Sequence, residues 1–247
     1  MSRNNPVFGS FNRGDVPTIA CFSQATVDMG VDFDKLIAAM QVYIDKHVFP
    51  VWGTPARLVK SKGFVKNQWA LVFLDDADQP GALAYHDLTP SGLPLSKVFV
   101  KTTLQHGEPV SVAASHELVE MLVDPAVNIM TTGPDLKAVY AYESADPVEA
   151  LSFKVKGIPM SNFVYPSYFE TFHKPKSVQF DHMKMVTRPF QILKGGYQVI
   201  FKNGKWSQVH GSKMKAKYFS KEDRRGHRSE TRKAGMLRKT SARASIA

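Results

Sequence analysis

Apolar residues along this chain recur with two different periods, and the switches between them outline its elements. Residues 18–22, Thr-Ile-Ala-Cys-Phe, make a short apolar run of the kind a buried strand shows. After Asp32 or Asp34, either of which can cap a helix, Phe33, Leu36, Ile37, Met40, Tyr43, Ile44 and Val48 return every three or four positions. They predict an amphipathic helix, stopped by Pro50, Gly53 and Pro55. Strands are predicted at 56–59, 69–74 and 96–102, the last alternating polar with apolar, and a turn at 75–81. The helical period returns over 111–123, where Val112, Leu118, Val119, Leu122 and Val123 are apolar. Ser111 or Ser115 lies near its start, and Pro125 follows its end. Further on, 136–142 and 151–155 read as strands. Residues 197–201 and 206–209 read as a hairpin about Asn203-Gly204, the strongest short-range hairpin signal in the chain.

Strands outnumber the two clear helices and no repeat is visible, so the pattern predicts one α+β body over residues 1–210. A length of 247 residues with 43% hydrophobic side chains supports a core that needs no covalent staple. The one cysteine, Cys21, excludes a disulfide framework, and its place in an apolar run predicts a buried structural thiol. No apolar run approaches the roughly 18 residues needed to span a bilayer, so no membrane partner is expected. The first 14 residues lack the apolar stretch of a secretion signal, and the expected location is cytoplasm or virion.

Net charge is +10, and its location matters more than its size. Before residue 211 there are 20 basic and 19 acidic residues; after residue 210 there are 12 and 3. The segment 211–247 is thus a basic C-terminal extension on a nearly neutral body. Its Lys213, Lys215, Lys217, Arg224, Arg225, Arg228, Arg232 and Lys233 are expected to meet nucleic-acid phosphates or an acidic protein partner. A solubilising or assembly tail is the alternative.

Chemistry concentrates in the second helix, where residues 115–120 read Ser-His-Glu-Leu-Val-Glu. His116 and Glu120 are four apart and stack on one helix face, as two ligands of one metal must, and Asp124 continues that face. Glu117 points about 100° away, the direction from which a carboxylate reaches a metal-bound water as general base. The plain alternative is a helix whose charged residues face solvent. Glu143, in the acidic and aromatic stretch 140–149, can complete a three-ligand set with an open position for water. His86 and Asp87 fall in a turn-rich segment and read first as surface or packing residues, with contact to substrate or metal as the alternative. Tyr142, Tyr165 and Tyr168 are aromatic core or interface positions whose phenols can also serve a developing oxyanion. Phosphate-binding and nucleophile-elbow glycine motifs are absent, which disfavours nucleotide-driven and serine-hydrolase chemistry.

These residues resemble the zincin metallopeptidases, in particular those with a glutamate third ligand some twenty residues past the helix motif, here as H-E-x-x-E in place of H-E-x-x-H. A longer stretch, from Leu74 through Asp87 and Lys97 to Pro125, resembles a family of bacterial and phage proteins of uncharacterised function, over roughly residues 20–210. The resemblance implies a zincin-like fold: a mixed twisted sheet whose edge strand is 97–101, an active-site helix, a strand-rich lower part and the basic tail. It also implies a divalent metal, zinc first, on His116, Glu120 and Glu143, with Glu117 as catalytic base. A peptide or protein would be the substrate. Carboxylates in place of the second histidine soften the zinc preference toward Mn or Ca. The function expected is a zincin-like metal-binding protein, a divergent or inactive metallopeptidase. The alternative is a virion protein of a phage, with the body as scaffold and the tail on nucleic acid or a neighbouring subunit.

Overall fold

The computed structural model describes residues 16–79 and 82–211; the basic tail residues named above lie outside them. The run at 18–22 becomes β1 (Thr18–Ser23), buried along its centre. Asp32 caps α1 (Phe33–Tyr43), its side chain accepting from the Lys35 N–H at 2.9 Å. Of Pro50, Gly53 and Pro55, read together from the sequence as the stop, Pro50 does not end the helical path. A π-helical turn (Ile44–Val48) carries it into α2 (Phe49–Trp52), in whose first turn the missing N–H of Pro50 needs no partner. Gly53, at φ +66°, is the stop.

β2 (Arg57–Lys60), β3 (Trp69–Leu74), β4 (Ala84–Leu88) and β5 (Pro94–Phe99) join β1 in one sheet, in the order β2-β1-β3-β5-β4. All neighbours are parallel except β4, which runs antiparallel to β5 at one edge. Two expectations change here. The strand predicted to reach 102 ends at Phe99, where its pairing with β3 runs out at Leu74, and the chain turns into α3 (Val100–Gln105). The Lys101 N–H donates to the Asp75 carbonyl at 3.0 Å and fixes that turn. The segment around 97–101 is therefore not the sheet edge. The edge is β4, formed from residues that read as turn because Ala84, Tyr85 and His86 are all buried and show no alternation.

α4 (Val110–Val123) packs against β4 and β5, and twelve of its fourteen residues are buried. Such a helix has no solvated face, so its His and Glu side chains point into protein. Beyond it come β6 (Met130–Thr132), β7 (Val139–Ala141), β8 (Ser152–Val155), β9 (Ile158–Ser161), β10 (Tyr197–Lys202) and β11 (Lys205–His210). An antiparallel sheet runs β11-β10-β7-β6, and β8 pairs with β9, which packs on α4. Asn203 and Gly204 take the two positive-φ positions of the predicted hairpin. The β8–β9 hairpin uses Lys156 and Gly157 in the same way, without the Asn-Gly signal that would have revealed it. The fold class is thus α+β, with several sheets and few helices.

One apolar cluster joins Tyr43, Leu71, Phe73, Leu118 and Phe163 across the first sheet, α1, α4 and β9. A second lies under the irregular stretch 162–196 and gathers Tyr168, Phe169, Phe180 and Phe190. That stretch is pinned by Asp181, whose carboxylate accepts from Asn162 Nδ2 and the Val186 N–H, both at 2.7 Å. Among the described residues no helix is long and apolar enough to cross a membrane.

Candidate metal centre

α4 delivers His116, Glu117 and Glu120 on the side facing β4 and the loop that follows β7. Edge strand β4 delivers His86, and that loop delivers Glu143 and, in a 3-10 turn, Asp146. All six side chains belong to residues at most 8% exposed. His86 is completely buried, which removes the surface role the sequence suggested for it.

Two groups of potential metal ligands form, and Glu120 belongs to both. One is His86, Glu120 and Glu143; the other is His116, Glu120 and Asp146. Within each group the ligand atoms all lie within 4.8 Å of one another. Glu120 Oε2 lies 3.6 Å from His86 Nδ1 and 3.6 Å from His116 Nε2. Its other oxygen, Oε1, accepts from the Ala145 N–H at 3.1 Å, so the backbone of the following loop fixes the carboxylate. His116 Nε2 lies 3.1 Å from Asp146 Oδ1. His86 faces Glu117 through Nδ1 at 3.2 Å and Glu143 through Nε2 at 3.7 Å. The sequence-predicted set of His116, Glu120 and Glu143 is thereby divided: His116 and Glu143 each pair with Glu120, in different groups.

The remaining residues singled out from sequence serve the frame. Asp124 accepts from the Asn128 and Ile129 N–H groups at 2.9 and 3.0 Å and closes the turn after α4 rather than joining the ligands. Ser115 Oγ donates to the Ser111 carbonyl and accepts from the Ser161 N–H, tying α4 to β9. Tyr142 stacks on Phe169 with centroids 3.9 Å apart, Tyr168 is fully buried in the second apolar cluster, and Tyr165 bonds to His182. Cys21 is buried and burial pushes its thiol up to about 12, which makes it inert. Gly196 has a steric reason: a Cβ there would run into the Pro147 carbonyl, so only glycine lets the start of β10 lie against the turn that carries Asp146.

Electrostatics show what the cluster lacks. The ion-pair partners of Glu117, Glu120 and Asp146 are imidazoles, with no lysine or arginine among them. Burial opposes a charged imidazole at His116, but the Glu120 charge and hydrogen bonds with Asp146 and Glu120 hold its pKa well above the usual value. Burial also opposes the charged form of Glu120, yet His116 and His86 draw it down to about 2. Asp146 is pushed up to about 6 by burial and by the Glu120 charge. Carboxylates this deeply buried strain against one another unless a cation sits among them.

Sequence reasoning reached three of these side chains through the helix motif and a fourth, Glu143, through its distance from it. It passed over Asp146 as a metal ligand and gave His86 a lesser role. The available signals were a histidine in the apolar run 82–86 and an Asp-Pro pair just past Glu143, echoing Asp124-Pro125. No family model, curated protein or solved structure matches this chain.

Proposed function

We propose that this chain is a zincin-like metal-binding protein whose reaction class is hydrolysis of a peptide bond. The observation that carries the reading is the convergence of buried imidazoles and carboxylates on Glu120. Two features of the fold support the zincin part: a sheet parallel except for one antiparallel edge strand, and a buried helix bearing H-E-x-x-E that packs against that edge. A divalent ion, zinc in the first instance, would supply Lewis-acid chemistry at this site. His116 and Glu120 are its protein anchors. Glu117, oriented through Oε2 by His86, takes the proton of the attacking water and returns it to the leaving amine.

Elemental analysis of the purified protein is the direct test, with bound divalent metal as the expected result. Protein free of metal, with no thermal shift on adding zinc or manganese, would sink the reading. Glu117→Gln should keep the metal and abolish cleavage of an unstructured protein such as casein. Equal activity in this variant and the parent would remove Glu117 as base.

A second reading rests on the charge asymmetry: the body serves as scaffold in a phage particle and the 211–247 extension grips nucleic acid. Deleting residues 211–247 would then abolish salt-sensitive DNA or RNA binding measured by anisotropy. Undiminished affinity in the truncated chain refutes that reading.

A further inference from the structure

We infer that the centre is built for two divalent ions bridged by Glu120, a deepening that rests on the metal-binding reading above. Each of the two groups supplies one imidazole and one carboxylate of its own: His86 with Glu143, and His116 with Asp146. Among the described residues no group of comparable compactness takes both imidazoles, or both Glu143 and Asp146, so a single ion leaves two of the five donor residues unused. Glu120 is the one member common to both. Its Oε2 lies 3.6 Å from His116 Nε2, a ligand atom of Glu120 lies within 4.8 Å of those of His86 and Glu143, and Oε1 is held by the Ala145 N–H. A carboxylate fixed at one oxygen and presented at the other to two ligand sets is the arrangement of a bridged dinuclear site, whose ions sit about 3.5–4 Å apart.

His86 gives an independent indication. Its ring is completely buried on the edge strand. Nδ1 faces Glu117, a carboxylate that only accepts, so this nitrogen carries the proton and donates. In the neutral ring Nε2 is then a lone pair, without a hydrogen-bond partner, aimed toward Glu143 Oε2 at 3.7 Å. Two electron-rich atoms that face each other in a dry interior call for a cation between them. The Glu117 contact is also the one that fixes ring orientation in metal-bound histidines generally, with the carboxylate on the nitrogen away from the metal. His116 and Asp146 cannot hold that cation, because they belong to the other group.

Charge leads to the same count. Glu117, Glu120, Glu143 and Asp146 contribute four negative charges when ionised, and two divalent ions balance them with both imidazoles neutral as ligands. One divalent ion leaves two carboxylate charges for imidazolium groups to balance, and a protonated imidazole cannot serve as a ligand. Two imidazoles among several carboxylates accept manganese as well as zinc, so manganese can serve as a spectroscopic probe.

The experiment is a titration of the metal-free full-length chain with Mn2+ alone, followed by EPR. The expected result is uptake of two ions per chain, with the six-line signal of an isolated ion giving way to an exchange-coupled spectrum as the second ion enters. His86→Gln should lower the stoichiometry from two to one and leave an uncoupled six-line spectrum. His116→Gln should do the same from the other side. Each variant is to be checked first for cooperative melting, and the parent titration stands without them. Uptake of one ion, retained in His86→Gln, overturns the dinuclear inference and leaves the single-ion reading intact. Two ions without coupling, or a second ion that persists in His86→Gln, overturns the Glu120 bridge. No uptake at all overturns the metal-binding reading itself.

Discussion

Among the described residues, two histidine clusters stand in surroundings that give them opposite characters. Around His116 and His86 the neighbours are carboxylates, and the His116 pKa rises well above the ordinary value. Around His47 and His182 the neighbours are aromatic rings. His47 Nδ1 and His182 Nε2 are 3.0 Å apart, His182 stacks on Phe163 with centroids 5.0 Å apart, and Phe153 lies against both imidazoles. Burial and then the neighbouring His47 pull His182 down to about 4. The protons in this second cluster can be placed. Gln179 Nε2 donates toward the Tyr165 hydroxyl and two backbone carbonyls, which leaves the Tyr165 proton for His182 Nδ1 at 3.1 Å. His182 then carries its own proton on Nε2 and donates to His47. This cluster is neutral and closed, whereas in the acidic one buried carboxylates favour a charged His116. Both sit between the regular first half of the chain and the loop-rich second half, so the difference comes from the neighbours each loop brings.

The largest effect expected from breaking this contrast comes from packing. Phe163 is fully buried between Tyr43 and His182, and Phe163→Ala should cost about 3–5 kcal/mol, the usual range for an aromatic truncated in a core. The loss should be the same with and without added metal, because the ring packs on Tyr43, Tyr165 and His182. Urea midpoints in the presence of metal and of EDTA would check this; a cost that changes with metal would show that the clusters are coupled.

Removing metal should affect only the acidic cluster. With free ion at a hundred times its dissociation constant, binding contributes about 2.7 kcal/mol, so chelation should lower Tm by about 5–10 °C in a chain of this size. Calorimetry with and without EDTA measures it. An unchanged Tm would mean that the carboxylates are accommodated by protonation, and the acidic cluster would lose its distinction from the aromatic one.

The same contrast explains what could be read in advance. α4 was legible because helical spacing alone places His116 and Glu120 on one face, and its near-complete burial follows from apolar residues on the remaining faces. The Asn203-Gly204 hairpin was legible because its turn requires two positive-φ residues. β4 was not, because a buried edge strand shows no alternation, and with it went the role of His86. Asp146 escaped because a 3-10 turn has no periodicity and its position is set by Ala145 bonding to Glu120 and by the close approach of Gly196. The His47–His182 pair joins residues 135 apart along the chain, one on a π-turn and one in an irregular loop, and no local pattern connects them.

The smallest effect sharpens the comparison most, because it reads the sign of a titration. His182 has its folded-state pKa depressed to about 4, against 6.5 for an ordinary imidazole. Between these values the unfolded chain binds a proton that the folded chain refuses, so the folded state loses stability as pH falls. The contribution is fully present above about pH 6.5, shrinks as pH drops toward 4, and is constant below. His47, also lowered by burial, adds in the same direction. Because the His182 ring is only partly shielded, solvent screening keeps the loss on the order of 1 kcal/mol. Urea midpoints of the parent and of His182→Phe, taken every half unit from pH 7.5 to 4, isolate it. The phenylalanine keeps the ring contacts with Phe153 and Phe163 but cannot titrate. It should start lower, having lost the Tyr165 and His47 hydrogen bonds, and then fall less steeply across this window. The acidic cluster is common to both proteins, so its own titration cancels in the difference. Parallel curves would show that His182 does not titrate differently on folding, and the neutral, closed character assigned to the aromatic cluster would fail.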